Sequence, residues 1–335
     1  MPSLERGSNR IVIAGASSLL GAELRSLLEE SRFAGVEFRL VDEEIAAGTL
    51  TEAGGEPAVI RPVEDGTFDR AGKVFFTGSA EFTRANLGAA RAAGAKIIDL
   101  SGATAADREA VSWFPKLDSL HGRTFPAEVN VFAIPSAAGT SAATLALGLF
   151  KIGVSRLVVI CFQAVSEAGR AGIEELESQT GQLLSFQGMG QPVFDTQVAF
   201  NLLDRFGPGS KHKLSVVRER LRAEVNACMG KKSVMPALQV IHAPVFYGTA
   251  FSACAELPPG TKFEQIVAAC EDAGFWISSD GEPGTSNVTV AGEKVAHLEK
   301  PEEDPAKPGA WWFWGAADNI RLPAANAIKL AEMLP

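Results

Sequence analysis

The sequence lacks several features that would assign it at once to a structural class. Its four cysteines, Cys161, Cys228, Cys254 and Cys270, have no paired spacing, which argues against a disulfide framework or a CxxC metal clip. Basic residues number 31 against 40 acidic ones, so a net charge of −9 excludes a general nucleic-acid binder. The start of the sequence, 1–6, is polar, and the apolar run after it is far shorter than about 18 residues. We therefore expect neither a membrane span nor a signal peptide. We therefore expect a cytoplasmic protein with no membrane partner.

The length of 335 residues fits two domains better than one, at about 150 residues per domain. In the N-terminal third, short apolar runs alternate with amphipathic or alanine-rich segments. These predict strands at 10–15, 36–41, 73–77 and 96–100 and helices at 21–30 and 85–93. Strands that alternate with helices through short loops predict an α/β fold with a doubly wound parallel sheet.

The middle of the chain alternates less and has longer strands, which predicts a second domain of the α+β class. We expect a strand at 155–164, an extended segment at 240–256, and helices at 141–150, 172–187, 216–229, 263–273 and 324–334. Glycine, proline and charge dominate residues 278–309, where we expect a loop with one strand near 287–291.

The turn after the first strand has the context of a dinucleotide-binding loop, in which backbone N–H groups and a helix N-terminus hold a pyrophosphate. Ser18 replaces the middle glycine of the usual pattern, so the turn either keeps this function or has lost its ligand. Asp42 ends the second strand, where a carboxylate accepts hydrogen bonds from a ribose. With Glu43 and Glu44 it would repel a 2′-phosphate, which favours NAD over NADP. The candidate cofactor-binding residues are Gly15, Ser17, Ser18, Leu19, Gly21 and Asp42.

Seven segments carry a family resemblance along the chain. They read GASSLLG (15–21), IDLSGA (98–103), PAEVN (126–130), FQAVSEAG (162–169), QVAFN (197–201), APVFYG (243–248), and DNIR (318–321) with NA (326–327). In this order they resemble the GATGxVG, DxSSA, PEVN, YQAVSGAG, IAFN, VPVxxGH and DNLRKGAxxNA motifs of aspartate-semialdehyde dehydrogenases. The resemblance implies a Rossmann-type domain over 1–134 and 316–335. It also implies an α+β substrate domain over 135–315 that builds a homodimer through its sheet.

The resemblance implies a cysteine thiolate that attacks an aldehyde, hydride transfer to NADP, and release of the acyl group by phosphate. The positions that carry this chemistry differ here. Ala137 replaces the nucleophilic cysteine, and Thr249 replaces the histidine base. His242 replaces the arginine that grips the substrate carboxylate, and the phosphate-binding arginine falls near Ala105.

Three residues match the family positions that surround this chemistry. By the resemblance, Gln163 orients the substrate, Glu224 binds its amine, and Asn319 lies beside the nicotinamide. Cys161 lies two residues before Gln163 on a predicted strand, so both side chains face the same way. Cys161 is therefore either a migrated nucleophile or a buried cysteine that acts as a small hydrophobe.

Other conspicuous side chains have a structural interpretation beside a functional one. Ser136 and Thr140 are possible hydroxyl nucleophiles, but a helix N-cap explains either better. His242 is either a relocated base or a hydrogen-bonded structural histidine. We interpret the charged start of a predicted helix as a solvated face or an interface contact; its residues are Glu167, Arg170, Glu174 and Glu175. The aromatic run 311–314 is interpreted as a core or subunit-interface strand, with a ligand-stacking platform as the alternative.

The sequence thus predicts an aspartate-semialdehyde dehydrogenase homologue without the phosphorylating dehydrogenase activity. It would act as a dimer that binds a nucleotide or another small-molecule ligand, with no metal. One alternative is an active NAD(P)-dependent oxidoreductase with altered chemistry, which would need no acyl-enzyme intermediate. Another is a structural partner of an active paralogue.

Overall fold

The protein is described by a computed structural model, which covers residues 10–46, 48–53, 56–230, 234–279 and 281–335. The polar start, 1–6, on which the prediction of no signal peptide rests, lies outside the described residues. The chain divides into two compact units. The first holds the residues up to Pro115 together with Thr124–Pro135 and Pro323–Pro335, and the second holds Lys116–Arg123 and Ser136–Leu322.

Helices and strands follow one another along the described chain. Up to Pro135 these are β1 (Arg10–Ala14), α1 (Leu19–Glu29), β2 (Phe38–Asp42), β3 (Leu50–Ala53), β4 (Glu56–Val59), β5 (Arg61–Pro62), β6 (Ala71–Phe76), α2 (Ala80–Ala92), β7 (Lys96–Asp99), β8 (Ala110–Ser112), α3 (Leu117–His121) and β9 (Val131–Ala133). Beyond it they are α4 (Ala137–Phe150), β10 (Arg156–Gln163), α5 (Gly169–Leu184), α6 (Leu214–Cys228), β11 (Ala237–His242), β12 (Thr249–Glu256), α7 (Phe263–Ala273), β13 (Trp276–Ile277), β14 (His297–Leu298), β15 (Glu302–Glu303), β16 (Ala310–Ala317) and α8 (Arg321–Met333). Short 3-10 helices lie at Glu44–Ala46 and Val165–Ala168.

The first unit is built on a seven-stranded sheet with the order β5-β2-β1-β6-β7-β9-β8, in which every pair is parallel. Side chains alternate across its central strand. Ile11 and Ile13 join a core with residues of α1 and α8, whereas Val12 and Ala14 join a second core with residues of α2. Both faces of the sheet are therefore covered by helices, which confirms the predicted doubly wound α/β class.

The second unit is built on a mixed sheet with the order β11-β10-β12-β16-β14-β13, and β15 pairs with β16. Helix α4, which is buried along almost its whole length, packs against α6 and α7. In β16, Trp311 and Phe313 are buried, whereas Trp312 and Trp314 keep 47% and 40% of their surface exposed. The aromatic run is thus a strand with one core face, and its other face is about half exposed at Trp312 and Trp314 and buried at Ala316.

Two predicted strands are wrong. The extended segment 240–256 is broken, because Pro244 and Gly248, with φ +87°, lie in a loop between β11 and β12. Residues 287–291 form turns, in which the N–H of Thr289 donates to the Ser286 hydroxyl and the N–H of Val290 to the Ser286 carbonyl. Local hydrogen bonds of this kind compete with a strand ladder.

Candidate functional site

The turn between β1 and α1 is closed by backbone packing. Gly15 has φ +95°, and a Cβ there would lie 2.1 Å from the backbone nitrogen of Gly78, so only glycine fits. Ser18 has φ −65° and fits the place of the middle glycine without strain. Its hydroxyl accepts a hydrogen bond from the N–H of Gly21 and donates to the carbonyl after β6, both at 2.9 Å. The first-turn N–H groups of α1, which begin at Leu19, have no partners within the helix.

Asp42 lies beside this turn at the end of β2. One carboxylate oxygen accepts from the N–H of Ser17 at 2.7 Å, and the other accepts from the N–H of Glu43 at 2.8 Å. A carboxylate offers about four lone-pair sites, so capacity for a sugar hydroxyl remains. Glu43 and Glu44 are exposed next to it. The structure therefore brings the six predicted cofactor-binding residues of the first unit together at one turn, with the Asp42 carboxylate beside the start of α1.

The second unit contains a cavity of about 110 Å³ on the helix-covered face of its sheet. Its polar lining consists of Ser136, Cys161, Gln163, Glu167, His212, Arg220, Glu224 and Thr249. Its apolar lining consists of Ala138, Ala168, Phe194, Phe206, Val217, Leu221 and Val240. Gln163 and Glu224, two of the three residues that the resemblance places around this chemistry, thus face one cavity.

One wall of the cavity is a hydrogen-bonded set that involves α4 and α6. Ser136 is the N-cap of α4 and accepts a hydrogen bond from the N–H of Gly139 at 3.1 Å. Its hydroxyl donates to Glu224 at 2.6 Å, and Arg220 donates to the other Glu224 oxygen at 2.7 Å. Glu224 is almost fully buried. The N-cap interpretation of Ser136 is confirmed, and Thr140 instead lies inside the helix.

The resemblance assigns the nucleophile and base positions to Ala137 and Thr249, and both residues are buried. Ala137 is the first residue of α4 and is buried, and Thr249 is the buried first residue of β12. Cys161 and Gln163 face the same cavity, as predicted. Burial raises the pKa of the Cys161 thiol to about 12, so it stays protonated at neutral pH. The Gln163 side-chain oxygen is buried and has no hydrogen-bond partner among the described residues.

Asn319 connects three segments of the second unit. Its side-chain oxygen accepts from the N–H of Gly248 at 2.7 Å, and its NH₂ group donates to Ser166 and Glu167, each at 3.0 Å. Both N–H bonds of the amide are therefore used within the protein. Asn319 thus fixes the loop before β12 and the 3-10 helix at the edge of the cavity.

Two positions that the family resemblance assigns to anion recognition lie outside the cavity lining. His242 is fully buried, where its ring packs near Phe194 and Phe206 and its Nε2 lies 3.4 Å from the carbonyl of Val198. Burial lowers the pKa of His242, which keeps the ring neutral. This supports the structural interpretation of His242. Ala105 is buried in the first unit, next to a loop in which Asp99 accepts four hydrogen bonds from Ser101 and Thr104.

Three lining residues were not assigned a role from the sequence. Arg220 could have been found, since it lies four residues before Glu224 on one helix face. No sequence pattern points to His212 as a lining residue. Burial lowers its pKa, so the ring is neutral in the cavity wall. Glu167, which lines the cavity, is exposed, as are Arg170 and Glu174, so these three agree with the expected solvated face. Glu175 does not, because it is buried and accepts from the N–H of Phe194.

Both units match profiles of one protein family. The family profile "Semialdehyde dehydrogenase, NAD binding domain" matches residues 10–123. The profile "Semialdehyde dehydrogenase, dimerisation domain" matches residues 147–322.

Full-length relatives and solved structures agree with these profiles. The USG-1 protein homolog of Pseudomonas aeruginosa is 29% identical over 331 residues, and an aspartate-semialdehyde dehydrogenase of Rickettsia bellii is 24% identical over 329 residues; each match covers 97% of both chains. A probable aspartate-semialdehyde dehydrogenase structure from P. aeruginosa superposes with a TM-score of 0.84 at 27% identity over 97% of each chain. Aspartate semialdehyde dehydrogenase II from Vibrio cholerae superposes with a TM-score of 0.85 at 23% identity over the same share, which shows the fold alone.

In the part of the chain that the structure describes, none of the helices has the length and hydropathy that a bilayer crossing requires. Within the same residues, no three His, Cys, Asp or Glu side chains form a group that could hold a metal ion.

Proposed function

Because this chain belongs to the semialdehyde dehydrogenase family, as its motifs indicated, we propose that it is a dinucleotide-binding member that lacks phosphorylating dehydrogenase activity. Ala137 carries this proposal. It occupies the nucleophile position at the start of α4, where a helix N-terminus would stabilise a thiolate, yet its side chain has no nucleophilic atom. Removing a nucleophile alone lowers a rate by many orders of magnitude.

The other groups around the cavity do not restore this chemistry. Thr249 cannot shuttle a proton near neutral pH as a histidine can. Cys161 is buried and protonated, so it lacks the thiolate that attacks a carbonyl. What remains is a binding cavity whose hydrogen-bonding groups can orient a small metabolite but cannot form an acyl-enzyme.

The cofactor proposed for the first unit is NAD. When bound, the nicotinamide ring would supply hydride chemistry, and this chain would supply the holding groups. The N–H groups at the start of α1 would hold the pyrophosphate, and Asp42 would accept from a ribose hydroxyl. Glu43 and Glu44 add negative charge where a 2′-phosphate would lie, which supports NAD over NADP.

The proposed assembly is a homodimer through the open face of the second unit's sheet. Trp312 and Trp314 are exposed on this face, and the matched profile is that of a dimerisation domain. Large aromatic side chains are enriched at protein interfaces, where they contribute much of the binding energy.

A cofactor-absorbance assay tests the proposed loss of activity. The purified chain, with aspartate semialdehyde, phosphate and either NAD or NADP, should form no reduced cofactor above the no-enzyme rate. Thermal unfolding with each dinucleotide should show a higher melting temperature with NAD than with NADP, since a ligand that binds only the folded state stabilises it. Turnover at ordinary enzyme rates would contradict the proposal, whatever the thermal shifts show.

A further inference from the structure

Ser18 lies where a dinucleotide-binding turn has its middle glycine, and its side chain lies at the N-terminus of α1. A glycine at this place lets the backbone approach a pyrophosphate closely. Ser18 instead keeps a Cβ and a hydroxyl there, with a φ of −65° and a ψ of 159° that do not require glycine. A pyrophosphate bound at this turn would therefore lie against a side chain and not against bare backbone.

The hydroxyl of Ser18 takes one of the hydrogen-bond donors that the turn could offer to a ligand. The N–H of Gly21 donates to this hydroxyl at 2.9 Å, and the N–H of Ser18 itself donates to the carbonyl of Gly15 at 3.1 Å. A helix begins with four N–H groups that have no partner inside it. In the described part of the chain, those of Leu19 and Leu20 therefore remain for a ligand. A pyrophosphate would meet two donors, where a glycine at position 18 would leave three.

The Ser18 hydroxyl does not replace the donor that it takes. A hydroxyl has one O–H, and that of Ser18 donates to the carbonyl of Thr77 at 2.9 Å. Toward a phosphate oxygen it therefore presents lone pairs, which repel another acceptor. Donation to a phosphate would require the bond to Thr77 to break, so the gain would be offset by a loss of similar size.

A carboxylate beside the turn adds to this effect. Glu43 follows the last residue of β2, and its side chain accepts a hydrogen bond from the Ser79 hydroxyl at 3.1 Å. Ser79 comes directly after Gly78, whose backbone packs against Gly15 of the turn. The Glu43 carboxylate is thus held near the turn, where its negative charge opposes the binding of an anion.

The ribose side of the site keeps its partner. Asp42 accepts from the N–H groups of Ser17 and Glu43, and a carboxylate has about four lone-pair sites, so it can also accept from a ribose hydroxyl. A sugar is neutral, so the charge of Glu43 does not repel it as it repels a phosphate. The turn therefore favours the nucleoside part of a ligand over its phosphates.

We propose that the first unit recognises the ribonucleoside part of its ligand and gains little affinity from a pyrophosphate, because Ser18 takes a donor from the turn. The proposal rests on the proposed function, since it concerns the same dinucleotide site. It makes Ser18 the residue that extends the ligands of this site from dinucleotides to nucleosides without phosphate. Replacement of Ser18 by glycine would return the N–H of Gly21 to the ligand.

Calorimetric titration of the full chain with adenosine, ADP and NAD measures what the pyrophosphate contributes. In the natural chain we expect the dissociation constants of adenosine and ADP to agree within about tenfold, since a single hydrogen bond to a charged group already contributes about that factor. A larger advantage of ADP over adenosine would overturn the proposal without any variant.

Ser18→Gly tests the residue itself. Glycine can adopt the backbone angles of Ser18 and is a good N-cap, so the variant should fold. We expect ADP and NAD to bind about tenfold or more tightly than in the natural chain, and adenosine to bind equally well. Ser185→Gly changes an exposed serine of the second unit and should leave all three affinities unchanged. An unchanged ratio of ADP to adenosine affinity in Ser18→Gly would refute the role of Ser18.

Failure of this inference is distinguishable from failure of the proposed function. If NAD binds the natural chain and its affinity does not respond to Ser18→Gly, the inference alone fails. If NAD binds neither the natural chain nor the variant, the proposed dinucleotide binding fails, and the inference fails with it. The dehydrogenase assay is separate from both results, because the variant leaves Ala137 and its surroundings in the second unit unchanged.

Discussion

At the scale of single residues, Glu167 works against the stability of the second unit. Burial raises its pKa, so the folded state holds the proton more tightly than the unfolded chain does. The free energy of unfolding therefore falls as the pH rises from the unfolded pKa, about 4.3, through the raised folded value.

The first prediction concerns Glu167→Gln. The variant cannot ionise, so it should be more stable than the natural chain at neutral pH, and the difference should shrink as the pH falls below the unfolded pKa. Urea unfolding at a series of pH values measures this. Glu174→Gln should show no such trend, and a difference for Glu167→Gln that is the same at every pH would show that the carboxyl carries no raised pKa.

Ser136 contributes to stability through two hydrogen bonds. Its hydroxyl caps α4 and also donates to the buried Glu224 carboxylate. Ser136→Ala should lower the free energy of unfolding by about 2 kcal/mol, since a lost N-cap costs about 1 kcal/mol and a hydrogen bond to a charged group contributes more. Chemical denaturation checks this, with the exposed Ser185→Ala as the control expected to change it by under about 0.5 kcal/mol. Equal effects of the two substitutions would contradict the assignment.

At the scale of elements, the contact between the β1–α1 turn and Gly78 sets the shape of the candidate cofactor loop. Gly15→Ala adds a Cβ at φ +95° against backbone atoms, so we expect it to destabilise the first unit by about 3 kcal/mol or more. Gly88→Ala on α2 has open space around it and should instead stabilise by about 0.5–1 kcal/mol. Thermal unfolding of both variants tests the pair; a stable Gly15→Ala variant would mean that the turn can move away from Gly78.

The repeated elements of the first unit were the most predictable part of the fold. Each buried strand is a short apolar run, and parallel strands need helical crossovers, so the sequence specifies both the elements and their class. Elements whose limits depend on local turns were predicted poorly. In the segment 240–256, Pro244 and Gly248 indicated a break, but the apolar residues around them favoured one continuous extended segment. At 287–291 the β-branched residues favoured a strand that the side chain of Ser286 prevents.

The candidate site was predicted in part. Cys161 and Gln163 were placed on one face correctly, because alternation along a strand is a local property. Glu175 was misplaced, because it is buried and its partner, the N–H of Phe194, lies 19 residues away, so no local pattern reveals the contact. The orientation of His242 depends on Phe194 and Phe206, which are distant in sequence, so no local pattern reveals it.

At the scale of the whole molecule, the open sheet face sets the expected assembly. Trp312→Asp places a charge at the centre of the proposed interface, so the variant should be monomeric or should dissociate at much higher concentration than the natural chain. Val216→Asp changes a side chain on α6 that is 60% exposed and should leave assembly unchanged. Size-exclusion chromatography with light scattering measures both. A Trp312→Asp variant that stays dimeric would place the interface elsewhere.

The amide of Asn319 also has a consequence for the order of folding. It joins the N–H of Gly248, 71 residues away, to the hydroxyl of Ser166, 153 residues away. Contacts between such distant segments require large loops to close and so form late. The edge of the binding cavity is therefore among the last parts of the second unit to assemble. In hydrogen exchange, the Gly248 amide should lose its protection in any opening event that releases the segment around Asn319, well before the central strands exchange.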